Sequence, residues 1–316
     1  MKRKVMAVLR SRPWRRLFID LGDYRRTIVL AGTGRSGTTW IEEVINYAGN
    51  FRIMFEPFHS QKVPAVRHWN YRQYLRPGQR AAQFWEPAHQ IFSGRIRNAW
   101  VDQFNTVHIV RQRIVKDIRA NLLLRWIRSE FPEIPIVLLL RHPCAVANSK
   151  MTMRWGTHLE DFLSQQELLD DHLRPFVSAI RDASDPFEKY IFMWCIENYV
   201  PLRQFSPGEI YVAFYENFCT NPDREARALL AYLNLPFRQD VLQKIGRPSA
   251  MSGQWSAVVS GSSMIDAWRK RIEPDQVDRA VEILRVFRLE QIYGSASPPL
   301  VTGDEALRVF NSDPNV

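Results

Sequence analysis

The sequence predicts a single α/β domain in which a central parallel sheet has helices on both faces. Segments with strand character alternate with segments of helical periodicity along most of the chain, the pattern that produces such a sheet. One segment, "IPIVLLL", is continuously apolar, as is typical of a strand that is buried on both faces of a parallel sheet. Because these sheets bind ligands at the carboxyl ends of their strands, we expect the functional site at that edge.

The first part of the chain predicts one strand and one helix around a loop of small residues. The strand covers "TIVLAG", residues 27–32, and apolar residues recur at helical spacing over about 37–48. Residues 51–107 are rich in Trp, Tyr, Arg and Pro and have no clean period. We predict irregular helices and loops there, which cover the site.

Three further strand and helix pairs follow. "HIVRQRIVKD" predicts a strand that ends near Asp117, and "NLLLRWIRSEF" predicts the next helix. "IPIVLLL" is followed by "RHP" and another helical segment. "EIYVAFYENF" predicts a further strand, and "NPDREARALLAYLNL" has the proline, acidic first turn and apolar spacing of a well-formed helix.

The loop after the first strand has the spacing of a phosphate-binding loop. Gly32 and Gly37 stand five residues apart, as in G-x-x-x-x-G-K-[ST], but Thr38 replaces the lysine and Arg35 is the loop's cation. Backbone N–H groups at the following helix N-terminus still favour an anion. We therefore expect one phosphate and a neighbouring anionic group, with Arg35 and the Thr38 and Thr39 hydroxyls as donors, rather than a magnesium triphosphate. An ordinary Gly-rich turn is the alternative.

A second candidate anion site follows the "IPIVLLL" strand. Arg141 stands at its end, and Ser149 lies eight residues later on the predicted helix. This spacing allows a guanidinium and a hydroxyl to converge on one anion. The alternative is a structural arginine and an ordinary helical serine.

Together these segments resemble the PAPS-dependent sulfotransferase family, whose donor is 3′-phosphoadenosine 5′-phosphosulfate. "GRSGTTW" resembles its 5′-phosphosulfate loop, and "RHPCAVANS" resembles its 3′-phosphate segment R-x-P-x-x-x-x-x-S. "FYENFCTNPDREARALLAYLNLPF" and "WRKRI" are similar to two further segments, so the likeness spans residues 27–272. It implies a P-loop-like domain that transfers a sulfuryl group from PAPS to a hydroxyl or amine, releases PAP and requires no metal.

The resemblance also implies which residues bind the donor. The 5′ phosphate and sulfonate would contact Arg35, Ser36, Gly37, Thr38, Thr39 and Trp40. The 3′ phosphate would contact Arg141 and Ser149, with Arg269 and Lys270 closing over it. Tyr215 matches a residue near the adenine, although a core tyrosine is the alternative.

One departure concerns the catalytic base. Cytosolic small-molecule members of the family carry a catalytic His in a K-T-H segment, whereas "VKDIRAN" has Lys116 but Ile118 in place of that His. "MFEPFH" resembles the F-E-P segment of carbohydrate sulfotransferases, so Glu56 is the first candidate base and His59 the second. Lys116 is a candidate to assist the leaving group. The alternatives are a carboxylate paired with an arginine, a packing histidine and a surface lysine.

The F-E-P-like segment and the missing histidine favour a carbohydrate or glycolipid acceptor over a phenol or steroid, although the Trp- and Phe-rich middle can equally line an apolar pocket. An aromatic cluster between residues 69 and 100 is a candidate to stack on sugar rings, although such clusters are more often core. A P-loop-type small-molecule kinase would need the missing lysine and magnesium. A non-enzymatic nucleic-acid-binding protein would carry its basic residues in a stripe with exposed aromatics.

The net charge of +10 is concentrated at the start of the chain. Residues 1–26 hold nine Lys or Arg and two Asp among apolar residues, a basic amphipathic arm that can contact an anionic membrane surface peripherally. A solvated surface helix is the alternative. We expect the sulfotransferase domain over 27–295, a mobile loop at 249–263 and a tail over 296–316. Three cysteines without metal-type spacing favour a reducing cytoplasm.

Overall fold

The central sheet is parallel and has five strands. The computed structural model describes residues 18–245 and 265–311. Its strands are β1 (Ile19–Asp20), β2 (Thr27–Gly32), β3 (Arg52–Phe55), β4 (Ile109–Val110), β5 (Arg113–Asp117), β6 (Ile136–Leu140) and β7 (Tyr211–Phe214). The sheet order is β3-β5-β2-β6-β7, and β1 pairs with β4 in a separate two-stranded parallel sheet. The predicted α/β class is confirmed.

Helices cover both faces of the sheet. They are α1 (Thr38–Ile45), α2 (Ala82–Phe92), α3 (Leu124–Glu130), α4 (Pro143–Thr152), α5 (Glu160–Leu163), α6 (Gln166–Leu168), α7 (Val177–Asp182), α8 (Pro186–Gln204), α9 (Tyr215–Thr220), α10 (Pro222–Tyr232), α11 (Asp240–Ile245), α12 (Pro274–Val286) and α13 (Gly303–Asn311). One apolar core lies between the sheet and α1, α10 and α11. The other lies between the opposite face and a group that includes the long, largely buried α8.

The predicted strands and helices are observed, but the strand predicted over "HIVRQRIVKD" is divided into β4 and β5, and β1, α8 and α12 were not predicted. The predicted helix over 37–48 begins at Thr38 and ends at Ile45. Residues 51–107 contain β3, an edge strand that we did not predict. A four-residue strand is too short to show a period, so only its pairing with β5 identifies it.

The boundary that we placed at 295 does not separate a tail from the core. Helix α13 lies beyond it and packs against β7 and α8. Its Ala306, Leu307 and Phe310 are buried and form one apolar face of the helix. This part of the expected tail therefore belongs to the domain. The expected mobile loop at 249–263 and most of the N-terminal arm lie outside the described residues.

The amino ends of β3 and β5 are held by a buried ion cluster. Asp20 accepts hydrogen bonds from Arg52 Nη1 at 3.0 Å and Arg113 Nε at 2.9 Å. Asp102 accepts a further one from Arg52 Nη2 at 2.8 Å. Burial raises the pKa of Asp20, but the hydrogen bonds from Arg113, the Gly22 N–H and Arg52, with the charge of Arg113, outweigh it and hold that pKa below its ordinary value. The start of the described chain is thereby fixed to the sheet.

We predict that Asp20→Asn lowers the free energy of unfolding by about 3 to 5 kcal/mol, because it leaves two buried guanidinium groups without their shared carboxylate. Urea unfolding measures this loss. Asp23→Asn is the matched control, since the Asp23 side chain is 43% exposed, its pair with Arg26 at 3.5 Å is worth less than about 1 kcal/mol, and an Asn can still accept from the Arg25 N–H. Equal stability of the two variants would mean that Asp102, Thr27 and the backbone carbonyls satisfy the arginines without Asp20.

Candidate active site

The loop between β2 and α1 has the backbone of an anion-binding turn. Arg35 and Gly37 have φ angles of 79° and 100°. Gly37 is the N-cap of α1, and a Cβ there would lie 2.7 Å from the Tyr215 ring. Only glycine fits this position, and the loop N–H groups gather at the start of the helix, where an anion is favoured.

Two arginines from separate motifs meet at this loop. Arg35 Nε donates to Ser149 Oγ at 3.0 Å, and Arg141 Nη1 donates to the Arg35 carbonyl at 3.2 Å. Burial and the charge of Arg141 lower the pKa of Arg35. Within residues 18–245 and 265–311, neither arginine forms an ion pair with a carboxylate, and the buried Arg141 Nε lacks a hydrogen-bond partner. The arrangement places uncompensated positive charge where an anion would bind.

The other predicted loop residues surround this charge. Ser36 and Thr38 are buried and Thr39 is half-buried. Trp40 Nε1 donates to the Ile245 carbonyl at 3.2 Å, which ties the loop to α11. The start of the loop is fixed by α8, whose Asn198 donates to Thr33 Oγ1 at 3.1 Å.

Tyr215 forms one wall of the same site. Its ring centroid lies 5.2 Å from that of Trp40, and the Arg141 guanidinium carbon lies 4.1 Å from it. The ring is buried. Tyr215 therefore lies in the core and at the edge of the candidate anion site at once.

The C-terminal basic segment is anchored beside Arg141. The Trp268 ring stacks on His142 with centroids 4.6 Å apart. The guanidinium carbon of Arg269 lies 4.4 Å from the centroid of that Trp268 ring, and Arg269 donates to the Ser295 carbonyl. Lys270 follows at an exposed position. The segment thus lies next to the strand end that carries Arg141, although Arg269 is turned toward Ser295 and Asp266.

His142 is held as a neutral imidazole. It is the N-cap of α4, where its Nδ1 accepts from the Cys144 N–H at 3.2 Å. Its Nε2 lies 3.1 Å from the Gly294 carbonyl oxygen and is the donor in this contact, since Nδ1 is an acceptor. Burial lowers the pKa of His142 to about 4.

We predict that His142 makes the protein less stable in mild acid. The unfolded chain binds this proton near pH 6.5 and the folded chain only near pH 4, so stability falls as the pH drops through that window, by up to about 3 kcal/mol. In His142→Asn, an amide that still caps α4, the loss between pH 6.5 and 4 should be smaller by that amount. Urea unfolding across this pH range tests it, and parallel profiles of the two proteins would contradict it.

Glu56 lies in a cluster of cations at the carboxyl ends of β3 and β5. Its backbone is left-handed, with φ 46°, and its N–H donates to the Lys116 carbonyl at 2.7 Å. Its carboxylate accepts from Arg119 Nη1 at 2.7 Å and lies 3.5 Å from Lys116 Nζ. The Lys116 ammonium also lies 3.9 Å from the centroid of the Phe55 ring. Lys116 is buried, so it is not a surface lysine.

His59 is packed among aromatic rings. Its ring centroid lies 5.3 Å from those of Tyr71 and Trp100. Burial is the main cause that lowers its pKa to about 4, and the charge of Arg119 acts in the same direction. His59 is therefore neutral at pH 7 and a weaker base than an ordinary imidazole.

Sequence reasoning missed two residues of this cluster. Arg119 stands three positions after Lys116 in the quoted "VKDIRAN" segment and pairs with Glu56 and the Tyr71 hydroxyl. Asp117 orients it, since it accepts from the Arg119 N–H at 2.8 Å and the Phe58 N–H at 2.7 Å. The segment itself carried the signal, because polar residues at the end of a buried strand point to a site.

The β2–α1 loop and the Glu56 cluster both lie at the carboxyl ends of the strands of the central sheet. A Cβ on Gly34 would lie 2.7 Å from the Trp155 ring and 3.1 Å from Ile118. Ile118, at the position of the missing histidine, therefore contacts the loop directly. The structure thus brings the residues that follow β2, β3, β5 and β6 into one region.

The match to a family model gives the class of the protein. A model described as "Sulfotransferase family" matches residues 27–239, more than half of the chain. The chain belongs to this family and is a sulfotransferase. The resemblance drawn from the sequence motifs is confirmed, and the family assignment favours this enzyme over the kinase and the nucleic-acid-binding protein.

Several solved sulfotransferase structures are similar to this chain at low identity. The sulfotransferase domain from the curacin biosynthetic pathway is 16% identical, with 82% of this chain and 97% of that chain covered and a TM-score of 0.46. A sulfotransferase from Alicyclobacillus acidocaldarius is 15% identical, with 90% and 98% covered and a TM-score of 0.44. Mouse SULT7A1 complexed with PAP is 13% identical, with 98% and 95% covered and a TM-score of 0.44.

A search of curated proteins finds no match. None of the described helices is long and apolar enough to span a bilayer. The described ranges also contain no group of three or more His, Cys, Asp or Glu arranged to hold a metal ion.

Proposed function

We propose that this sulfotransferase uses PAPS as its donor and sulfates a hydroxyl of a carbohydrate or glycolipid. The observation that carries the proposal is the meeting of Arg35, Arg141 and Ser149 at the β2–α1 loop. PAPS carries a phosphosulfate and a separate 3′ phosphate, so it needs two adjacent anion sites. The loop N–H groups and the paired arginines supply both kinds of contact.

The donor roles follow from this arrangement. The loop residues Ser36–Thr39 would bind the 5′ phosphate and sulfonate, and Arg141 with Ser149 would bind the 3′ phosphate. Arg269 and Lys270 would turn toward that phosphate when it is present, since Trp268 and His142 hold their segment nearby. Trp40 and Tyr215 would line the nucleotide side of the site.

In the reaction, the acceptor oxygen forms a bond to sulfur while the bond from sulfur to the phosphate oxygen breaks and PAP leaves. Such transfer depends on positioning and charge stabilisation. Arg35 is suited to stabilise the developing charge on the bridging oxygen, an effect worth about 3 to 4 kcal/mol for a single key donor.

Glu56 is proposed to accept the acceptor's proton. Its carboxylate is held in place by Arg119 and Lys116. Lys116 contacts Glu56 and Phe55, so we propose that it positions the base in addition to assisting the leaving group. His59 is the weaker candidate, because burial lowers its pKa to about 4.

Two observations support a carbohydrate or glycolipid acceptor: Ile118 replaces the catalytic histidine of the small-molecule members, and aromatic rings lie near Glu56. His59, Tyr71 and Trp100 form a connected group, and the half-exposed His158 ring lies 5.8 Å from Tyr71. Flat rings beside a carboxylate are suited to bind sugar rings. By contrast, Trp69 and Tyr74 of the predicted aromatic cluster are core residues.

We also propose a cytoplasmic location with peripheral membrane contact. Cys144, Cys195 and Cys219 are free thiols, which fits a reducing compartment. Residues 1–17 contain seven Lys or Arg and no acidic residue, and such a segment is attracted to anionic lipid.

Adenosine 3′,5′-bisphosphate should stabilise the wild-type protein by about 2.7 kcal/mol at a hundredfold excess over Kd, and more than adenosine 5′-monophosphate or ATP with magnesium at equal concentration. Arg141→Ala should weaken this binding about ten- to a hundredfold, because charge-assisted hydrogen bonds are lost. Thermal unfolding with each nucleotide measures both. Arg128→Ala, which removes a half-buried arginine on α3 that donates to the Pro132 carbonyl, should bind like wild type. Preference for ATP with magnesium, or no response, would overturn the donor assignment.

Turnover with PAPS and an accepted sugar should fall about a hundredfold to ten-thousandfold in Glu56→Gln, because the general base is lost. His59→Ala should retain most of its turnover. Both variants should still be stabilised by the bisphosphate, which checks that the donor site is intact. Unchanged turnover in Glu56→Gln together with loss in His59→Ala would reverse the assignment of the base.

A further inference from the structure

The two-stranded sheet β1–β4 exposes an apolar patch that the reaction does not use. Ile19, Leu21 and Ile109 are 68%, 58% and 65% exposed. Ile19 is directly paired with Ile109, so their side chains lie on the same face. Leu21 follows two residues after Ile19 and donates its N–H to the Val110 carbonyl at 3.3 Å. We refer to these three residues as the β1–β4 patch.

The patch is rigidly held from behind. Asp20 and Val110, which alternate with the exposed residues, point inward and are shielded from solvent. Asp20 is bound by Arg52 and Arg113. The three apolar side chains are therefore presented on a fixed surface and lose little conformational entropy if they are buried by a partner.

Positive charge surrounds the patch. Arg111 is exposed and directly follows β4, and the exposed Arg97 has its guanidinium carbon 3.6 Å from the centroid of the Phe18 ring, directly before Ile19. The seven Lys and Arg of residues 1–17 precede the patch in the chain without a single acidic residue. Exposed apolar residues beside clustered basic charge are the two features that bind an anionic lipid surface.

We infer that the β1–β4 patch inserts into the interfacial region of an anionic bilayer. The inference rests on the membrane contact proposed above for the basic arm. The arm supplies the attraction to anionic lipid, and the β1–β4 patch supplies the apolar side chains that enter the bilayer. Through Asp20 the patch adjoins the amino ends of β3 and β5, whereas the candidate active site lies at their carboxyl ends. The bound enzyme would therefore be tethered with its active site turned toward the aqueous side, an orientation that suits a water-soluble carbohydrate acceptor rather than a glycolipid of the same bilayer.

Vesicle sedimentation with the full chain tests this inference. The probes are phosphatidylcholine vesicles with and without phosphatidylglycerol. Wild type should bind the anionic vesicles and bind the neutral ones weakly. The double variant Ile19→Ser/Ile109→Ser should reduce the partition coefficient at least about tenfold, because two apolar side chains no longer leave water. The matched control Val286→Ser/Leu300→Ser, at 41% and 58% exposed positions elsewhere, should bind like wild type.

Three results would overturn the inference. If wild type does not bind anionic vesicles, both the arm contact and the patch fail. If the double variant binds as tightly as wild type, the arm suffices and the patch fails alone. If wild type forms a concentration-dependent dimer in sedimentation velocity and the double variant does not, the patch is a protein interface. Stabilisation by adenosine 3′,5′-bisphosphate in both double variants confirms that they are folded. It also tests the donor site independently of membrane binding, so failure of the patch can be distinguished from failure of the proposed function.

Discussion

The geometry of a parallel sheet is the constraint on which the candidate site depends. All five strands of the central sheet run in the same direction, so the segments that follow them emerge at one edge. Arg35 follows β2, Glu56 follows β3, Arg119 follows β5 and Arg141 follows β6. Residues far apart in sequence are thereby gathered within reach of one another, and no single loop has to supply the whole site.

Charge is distributed unevenly along this edge. At the β2–α1 loop, Arg35 and Arg141 face each other without carboxylate partners among the described residues, which favours an incoming anion. At the ends of β3 and β5, Lys116 and Arg119 are matched by Glu56. An anionic donor would therefore be drawn to the first region, while the second region retains a fixed carboxylate for proton transfer. This division of charge fits a reaction between an anionic donor and a neutral acceptor.

At the amino ends of the strands, buried charges have a structural role instead of a proposed ligand-binding one. There, Arg52 and Arg113 are fully paired with Asp20 and Asp102. That cluster fixes the first strand to the domain and gives the β1–β4 patch a firm support. Guanidinium and carboxylate groups thus occur at both ends of the strands. At the amino ends they anchor the chain, and at the carboxyl ends they are proposed to bind ligands.

The sequence by itself determined the alternating architecture, and it predicted the loop after β2 and the spacing of Arg141 and Ser149 as anion-binding motifs, although Ser149 contacts Arg35 in the structure. These features depend on local periodicity and fixed spacing, which a chain displays without its tertiary contacts. Only the tertiary structure decided that β3 joins the sheet, that α13 belongs to the core and that Glu56 pairs with Arg119. Each of these depends on contacts between distant segments, such as the 63 positions between Glu56 and Arg119. Short edge strands and the partners of buried charges leave no periodic trace, because their stability comes from neighbours that only folding supplies.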